Sequence, residues 1–557
     1  MSRVAVIGAG ALGLMALKNF QEDGFDVTGF EARPYIGGLW KESDDDSLSV
    51  HSTTIFNTSK FRTAISDYPF SEEADVYPTA AQLHKYLNDY ADHFDIRRRV
   101  KLSCRVSNII RTNDKWEITV KDLKNGDETR EYFDRICIAT GSFCSPRWPK
   151  LKGLEKFGGQ VLHSINFHGS EPFEGHNVLI LGIHATAQDV THALSGSAKQ
   201  VYLSHRQGLL LVPRYTGSGV PSDAAMKLPV VMLQSFMDSN CPSLWYWLVD
   251  KVAGYISDKN FGDIPESWGL KPRPSMAVAT PLMADTVWPY LKSGFAEPVA
   301  AVQEITGPRT VVLTNGRVLE DIDTILYCTG YDHCLPSDLI PRPGNSADRT
   351  PYEPYPEGPG KNPHLYKNIF PLSPDSEVQT SLAFIGQGAT FFPGFLQFEL
   401  QVMAVSQVWR GRSTLPPYHE MINWHKKHTA HRLALAKKHR LPDDGTTFYS
   451  GTIPFGDLFP WLNEMAGTGI FETFGGKCNG LFNIASWKFW WEDRELYDLC
   501  TKRLLSPAVF RVVATSGRKA LDRSEVMRIL TSDNAILDRA VKAKREDTNK
   551  DGKAKMT

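Results

Sequence analysis

A short apolar strand running into a glycine-bearing turn and then a helix is the feature that most constrains this chain, and it occurs twice. "VAVIGAGALGLMAL" places Gly8, Gly10 and Gly13 in the spacing G-x-G-x-x-G, directly after an apolar run. In such a unit the first glycine permits a tight turn and the second lets backbone N–H groups approach a pyrophosphate. The third lets the helix pack closely on the strand, and the helix N-terminus faces the negative charge. Ala9, Ala11 and Leu12 complete the turn, and "VTGFEARP" then brings Glu31 to the end of a second strand. That is the separation expected of an acid that binds a ribose.

The second copy, "VLILGIHATAQD", runs from Val178 to Asp189 and departs from the first. Gly182 and Ala187 hold the small-residue positions, but His184 stands where the middle glycine belongs. A Cβ and an imidazole there predict that a pyrophosphate is pushed outward or that the loop takes a changed path. Downstream, "VYLSHRQG" sets Ser204 and Arg206 at the end of the next strand. An arginine there can bind a 2′-phosphate through its planar fork. The reading is a modified but working NADPH site.

Two such units predict two Rossmann-like dinucleotide-binding domains in an α/β chain. Between them, "TAAQLHKYLNDYADHF" carries Leu83, Leu87 and Tyr90 at helical spacing. "WEITVKDLKNGDETREYFDRICIATG" and "RTVVLTNGRVLEDIDTILYCTG" each read as a hairpin followed by a buried strand ending in Thr-Gly. The stretch from Pro341 to Pro363 reads as a loop, and after Leu415 the chain turns Lys/His-rich and helical, then aromatic-rich.

The chain's 557 residues allow two or three domains. Its 62 Lys+Arg against 63 Asp+Glu give no basic stripe for nucleic acid. Eight cysteines without a C-x-x-C pair predict reduced thiols in a cytosol-like compartment, and neither a disulfide framework nor a metal site. No apolar run of about 18 residues is present, so no spanning helix is expected. "LWYWLVDKVAGYI" and "WKFWW" are read as packed core, with a peripheral membrane contact as the alternative.

"EARPYIGGLW" follows the first acid with Gly37, Gly38, Leu39 and Trp40, and resembles flavin enzymes with two dinucleotide-binding domains. "KFGGQVLHSINF" matches F-x-G-x-x-x-H-x-x-x-F at Phe157, Gly159, His163 and Phe167, and here the chain resembles the flavin-containing monooxygenases. "TIFNTSKFRTAISDYPF", "YCTGYD", "LYKNIFP", "LAFIGQ" and "FELQ" are similar to further landmarks of that family, which the chain resembles strongly to about residue 440. Baeyer–Villiger relatives usually show Trp and then Pro or Asp where Phe167 and His168 stand, so the resemblance favours heteroatom oxygenation.

The resemblance implies a second domain inserted in the first, and a largely helical C-terminal extension. Expected bounds are 1–170 and 331–440 for the FAD-binding domain and 171–330 for the NADPH-binding domain, with an insertion at about 209–284 that roofs the substrate pocket. Residues 441–557 form the extension. Implied FAD contacts are Gly8, Ala9, Gly10, Ala11, Leu12, Gly13, Glu31, Gly38, Leu39, Trp40, Asn57, Thr58, Val106, Thr140 and Gln387. Implied NADP contacts are Phe56, Asn57, Gly182, His184, Thr186, Ala187, Gln188, Asp189, Ser204 and Arg206, with Thr186 supplying the hydroxyl at the family's serine position. Asn57 is the implied catalytic residue, because an amide offers donor and acceptor without a charge.

The implied reaction consumes NADPH, traps dioxygen as a flavin hydroperoxide and passes one oxygen to the nitrogen or sulfur of a small amine or sulfide. A Baeyer–Villiger enzyme, an amine N-hydroxylase, and an uncoupled NADPH oxidase or non-enzymatic flavoprotein stand as rivals. A disulfide reductase would need a cysteine pair near the flavin, and neither turn has one. A homodimer stays open.

Overall fold

The computed structural model describes the chain except residues 44–46, 113, 144, 263, 333–338, 340–363, 442–450, 476–481, 516, 519 and 555–557. The Pro341–Pro363 loop expected from sequence lies outside the described residues. In chain order, β1 (Arg3–Ile7), α1 (Ala11–Glu22) and β2 (Asp26–Glu31) form the first strand–turn–helix–strand unit. Then come α2 (Ala80–His93), β3 (Val100–Leu102), a meander of β4 (Cys104–Thr112), β5 (Lys115–Asp122) and β6 (Glu128–Phe133), and β7 (Arg135–Ile138). The second unit uses β8 (Gln160–His163), β9 (Asn177–Leu181), α3 (Ala185–Leu194) and β10 (Gln200–Ser204). Helices α4 (Leu228–Asn240) and α5 (Pro242–Phe261) follow, then β11 (Ala296–Val299), the hairpin β12 (Val302–Gly307), β13 (Thr310–Leu313) and β14 (Val318–Leu319), and β15 (Thr324–Tyr327).

The chain then returns to the first sheet with β16 (Leu382–Phe384) and α6 (Leu396–Trp409). It ends in helices α7 (Tyr418–His439), α8 (Phe455–Ala466), α9 (Ile470–Phe474), α10 (Ile484–Glu492), α11 (Arg494–Lys502) and α12 (Arg523–Ala554).

Two parallel five-stranded sheets result, ordered β16-β7-β1-β2-β3 and β11-β10-β9-β15-β8. They are built alike: Val4 pairs with Val27 on one side and Arg135 on the other, and Val178 pairs with Val201 and Thr324. Both faces of such sheets are covered, so β1 and β9 read as continuous apolar runs, each with four consecutive residues buried. Because β16 completes the first sheet, the second unit is inserted in the first. The second sheet takes its edge strand from Gln160–His163, ahead of the expected boundary at residue 171.

The C-terminal extension is fastened to the first unit by a buried ion network. Arg511 reaches Glu22 at 2.7 Å and Asp67 at 3.2 Å, while Lys18 holds Glu22 at 2.7 Å and also contacts Asp67. Arg518 donates to Asn19 Oδ1 at 2.8 Å, and Arg62 to the Leu505 carbonyl at 2.9 Å. Burial works to raise the Glu22 carboxyl, but Lys18, Arg511 and Arg518 outweigh it and bring it down to about 2. The last hundred residues therefore buttress α1, the helix whose N-terminus carries the first glycine turn.

Two segments read as core are not. Helix α5 turns Trp247, Val252 and Tyr255 outward, and Trp487 and Trp491 of α10 are exposed. The side that packs uses Ala253, Ser257 and Phe261 on α5 and Ser486 and Phe489 on α10, while the other rings are left outside.

Candidate active site

The two turns share a left-handed first glycine and an extended residue at the helix cap. Gly10 caps α1 at φ −72°, ψ −172°, and His184 caps α3 at φ −90°, ψ −164°. Both are extended conformations open to any L-residue. The glycines that need their conformation are the first of each turn. Gly8 has φ +100° and a Cβ there would lie 2.7 Å from the Ala139 carbonyl; Gly182 has φ +127° and would meet the Cys328 carbonyl at 2.4 Å. At Gly13 a Cβ would fall 1.8 Å from the Gly8 carbonyl, which fixes the close helix–strand packing. A Cβ at Gly10 meets only Gly38, at 3.6 Å, and is otherwise unobstructed. The residues present thus fit a pyrophosphate at the first turn, approached across Gly10 and Gly38. Glu31 lies beside it, accepting from Ala9 N–H at 2.7 Å and Arg33 N–H at 2.9 Å.

His184 does not change the loop path. Its ring swings toward the end of the inserted segment and stands 3.1 Å (Nε2) from the Thr280 carbonyl oxygen. The ring can be reached by solvent yet is walled by protein on most sides, and this partial desolvation lowers its pKa. A neutral ring protonated at Nε2 donates to Thr280, so the imidazole joins the nucleotide turn to the inserted segment. That segment is closed at its base, where Leu211–Val212 pairs with Leu282–Met283.

The segment carrying Asn57 crosses the cleft between the two turns. Thr54 Oγ1 donates to Asp189 Oδ2 at 2.9 Å, one link from the first unit to α3. Burial lifts the Asp189 carboxyl to about 6, against the Thr54 hydroxyl and Arg214, which lower it. Beyond Asn57, Ser59 N–H donates to Asp223 at 2.7 Å in the inserted segment. Thr58 Oγ1 lies 2.7 Å from Thr63 Oγ1. Phe56 packs between Trp40 and Phe395 at ring distances of 4.9 and 5.7 Å. Asn57 itself is exposed to this cleft, held by fixed neighbours on both sides.

Gly386 seats on Leu12, where a Cβ would come 2.4 Å from Leu12 Cδ1, and so brings Gln387 to the start of α1. Gln387 is buried and donates to the Gly141 carbonyl at 3.2 Å, next to exposed Thr140. Leu39 is half-buried beside Gly38, and Ala11 is buried at the first turn of α1. Val106 lies buried in the meander, opposite Val120. In the second unit Thr186 and Arg206 are exposed and Ala187 is buried. Of the other residues expected at NADP, Gln188 is buried and Ser204 Oγ donates to the Ala300 carbonyl at 3.1 Å.

The F-x-G-x-x-x-H-x-x-x-F segment is an architectural joint. A Cβ at Gly159 would meet the Asp323 carbonyl at 2.2 Å and the Phe157 ring at 2.8 Å. His163 is fully buried, with Nδ1 accepting from Ile165 N–H and Nε2 3.2 Å from the Gly330 carbonyl. Burial holds its ring at about 4, hence neutral. Phe167 stacks on Phe173 and faces His51 at 5.6 Å, tying the second unit to the Asn57 segment. Sequence reasoning missed His51, Arg214, Asp223 and Thr280, which lie in none of the motifs quoted above, and also Thr54, the first residue of "TIFNTSKFRTAISDYPF", whose link to Asp189 that landmark does not reveal.

A cavity of about 450 Å³ lies under the inserted segment, walled by Tyr246, Trp247, Thr390, Phe391, His431 and Lys438 among others. One oxygen of each of its carboxylates is taken by backbone: Asp238 Oδ2 accepts from Gly456 N–H at 2.7 Å and Asp250 Oδ1 from Met276 N–H at 2.8 Å.

Two parallel sheets, each with a glycine turn between its central strand and a helix, define a protein with two dinucleotide-binding units. Residues 1–444 match the flavin-binding monooxygenase-like family, and the chain belongs to it. It is 32% identical over 514 residues to "Monooxygenase aurF" of Gibberella zeae, covering 91% of this chain and 93% of that protein. It is 27% identical over 434 residues to human flavin-containing monooxygenase 2, covering 75% of each. Its fold is similar to S-allyl-L-cysteine S-oxygenase from Allium sativum (TM-score 0.59, 19% identity, 96% and 98% coverage). It is also similar to cyclohexanone monooxygenase (TM-score 0.57, 17% identity, 84% and 97% coverage). The chain is an NADPH-dependent flavin monooxygenase, with FAD and NADPH as cofactors.

Proposed function

We propose that the enzyme oxygenates a soft nitrogen or sulfur centre of a small molecule, with FAD at the first turn, NADPH at the second and substrate in the cavity by Phe391. Bound FAD, reduced by NADPH, supplies the activation of dioxygen. The chain's residues bind, orient and keep out water. Gly10 and Gly38 admit the pyrophosphate of FAD, and Glu31 takes its ribose when Ala9 N–H turns to phosphate. Arg206, exposed past β10, takes the 2′-phosphate. Asn57 offers both an N–H donor and a carbonyl acceptor where the two cofactors meet.

The observation that carries this reading is the Thr54–Asp189 link of 2.9 Å, which holds the Asn57 segment against the second turn. The Phe167-His168 pair favours heteroatom oxygenation over ester insertion. The test is product analysis with a tertiary amine, a thioether and a cyclic ketone, counting product and hydrogen peroxide per NADPH. N-oxide or sulfoxide near one per NADPH is expected. Lactone as the main product assigns Baeyer–Villiger chemistry instead, and near-stoichiometric peroxide with all three removes the monooxygenase reading.

A further inference from the structure

The inserted segment meets the Asn57 stretch at a stiff point. Residues 214–222 fold back as a tight hairpin, bridged antiparallel at Tyr215 and Pro221. Its base is pinned: Ser222 N–H donates to the Arg214 carbonyl at 2.8 Å, and Arg214 N–H to Asp285 Oδ2 at 2.7 Å. The Tyr77 hydroxyl, which comes from the first unit, donates to the same Arg214 carbonyl. Asp223 is the first residue beyond this hairpin, and Ala224 after it is buried in a cluster with Phe61 and Leu504. The Asp223 carboxylate therefore stands on backbone with little freedom to move.

On the other side, the chain is anchored before and after Asn57. Phe56 N–H donates to the Pro78 carbonyl at 2.8 Å, and Lys60 N–H to the Val76 carbonyl at 2.7 Å. Lys60 Nζ reaches the Ser71, Glu72 and Ala74 carbonyls as well. Between these anchors, Ser59 N–H donates to Asp223 Oδ2 at 2.7 Å, two residues from Asn57. Ser59 opens the short helix Lys60–Thr63 at φ −65°, ψ 155°, and its hydroxyl does not cap that helix. The path of residues 57–59 is thus set by a backbone bond to Asp223 and not by the serine side chain. Asp223 Oδ1 is shut off from solvent, and burial raises this carboxyl while the Ser59 N–H and the Arg62 guanidinium pull it down. Direction is what an amide such as Asn57 needs, because its N–H and its C=O must each point at their own partner. A displacement of about 1 Å at a reacting centre can cost about a hundredfold in rate.

We propose that Asp223 is a positioning residue for the oxygen chemistry: through the Ser59 amide it fixes the direction in which Asn57 presents its side chain. The inference rests on the reading of Asn57 as the amide where the two cofactors meet. It gives the inserted segment a task at the reacting centre besides walling the cavity.

The test measures hydrogen peroxide released by the FAD-loaded full chain given NADPH and air but no organic substrate. NADPH, a proton and dioxygen are consumed, NADP and hydrogen peroxide are formed, and the rate reports how firmly the site holds oxygen back. Asn57→Ala should raise that rate about tenfold, the scale of one hydrogen bond to a charged group. Asp223→Asn keeps an acceptor in place without the charge and should stay within about threefold of wild type. Asp223→Glu keeps the charge but moves the acceptor by one methylene, so it should match Asn57→Ala, as should Asp223→Ala. Adding Asp223→Glu to Asn57→Ala should raise the rate no further, because both act through one side chain. A carboxylate needed only for its charge predicts the reverse order, with Glu near wild type and Asn fast, and that result overturns the proposal. If flavin content and melting midpoint show that Asp223→Ala is unfolded, the comparison of Asn with Glu carries the test. Wild-type rates in every Asp223 variant, with Asn57→Ala fast, overturn the inference and leave the reading of Asn57 standing. A wild-type rate in Asn57→Ala removes both.

Discussion

Replacing His184 by glycine restores the middle residue of the second turn and removes the tie to Thr280 in one step. The lost contact is a neutral hydrogen bond at 3.1 Å, contributing about 1 kcal/mol net. Glycine adds a backbone entropy cost of about 0.5–1 kcal/mol. Global stability should therefore fall by about 2 kcal/mol at most, while the local change is concentrated at residues 278–284. Loss of 1 kcal/mol is about fivefold in an opening equilibrium. Amide exchange in that segment should accelerate by this factor, and the KM for the organic substrate should rise comparably. The affinity for NADP, measured by calorimetric titration, should stay level or tighten, since the backbone at His184 is already extended as at Gly10. His184→Gln, which keeps a side-chain N–H, should recover part of the exchange protection. A fall in NADP affinity of about tenfold or more in the glycine variant, which is a 1.4 kcal/mol contact, would refute the reasoning and make the imidazole a cofactor ligand.

Other perturbations test separate parts of the site. Gly10→Val should purify without flavin, because its side chain fills the one approach the turn leaves open; a yellow preparation contradicts this. Arg206→Ala should cut the preference for NADPH over NADH about tenfold, the scale of a charge-assisted bond, and an unchanged ratio of kcat/KM values places the 2′-phosphate elsewhere. The KM for NADPH should rise as pH increases through about 6, where the Asp189 carboxyl takes its charge beside an anionic cofactor; the same inflection in Asp189→Asn rules that carboxyl out. Arg511→Met leaves Lys18 as the near partner of both Glu22 and Asp67 and should cost up to about 3 kcal/mol, read as a lowered melting midpoint. Glu22 has its folded pKa below the unfolded value of 4.5, so its stabilisation is full above that value and lost as pH falls toward 2. With Arg511 gone and Lys18 still in place, the melting midpoint of Arg511→Met should depend less steeply on pH in that window, and an unaltered profile discounts the network.

Much of this architecture is legible in the sequence because parallel strands covered on both faces must be apolar throughout, and the turns after them need glycine at specific points. Val4–Ile7 and Val178–Leu181 announce themselves in that way, and the Asn125-Gly126 and Asn315-Gly316 turns mark their hairpins. The inserted segment resists the same logic. Periodicity shows that α5 is amphipathic but not which side packs, and it takes the burial of Ala253, Ser257 and Phe261 to reveal that Trp247 and Tyr255 face out. The ion network around Arg511 is equally silent in sequence, since its partners lie 444 and 489 residues away in the chain.

The altered turn shows why a fingerprint can be broken at one position and the fold kept. Of the glycine positions, the first is demanded by φ and by a carbonyl in both turns, and the third by helix–strand contact in the first turn alone, since the second accommodates the Cβ of Ala187 there. The middle position carries no conformational demand in either turn, so its residue answers only to whatever lies opposite. Opposite Gly10 that is the approach shared with Gly38; opposite His184 it is the Thr280 carbonyl. The same backbone has therefore been fitted to admit a ligand at one site and to hold a roof at the other, and a side chain at that position tells which elements face the turn more directly than whether the turn works.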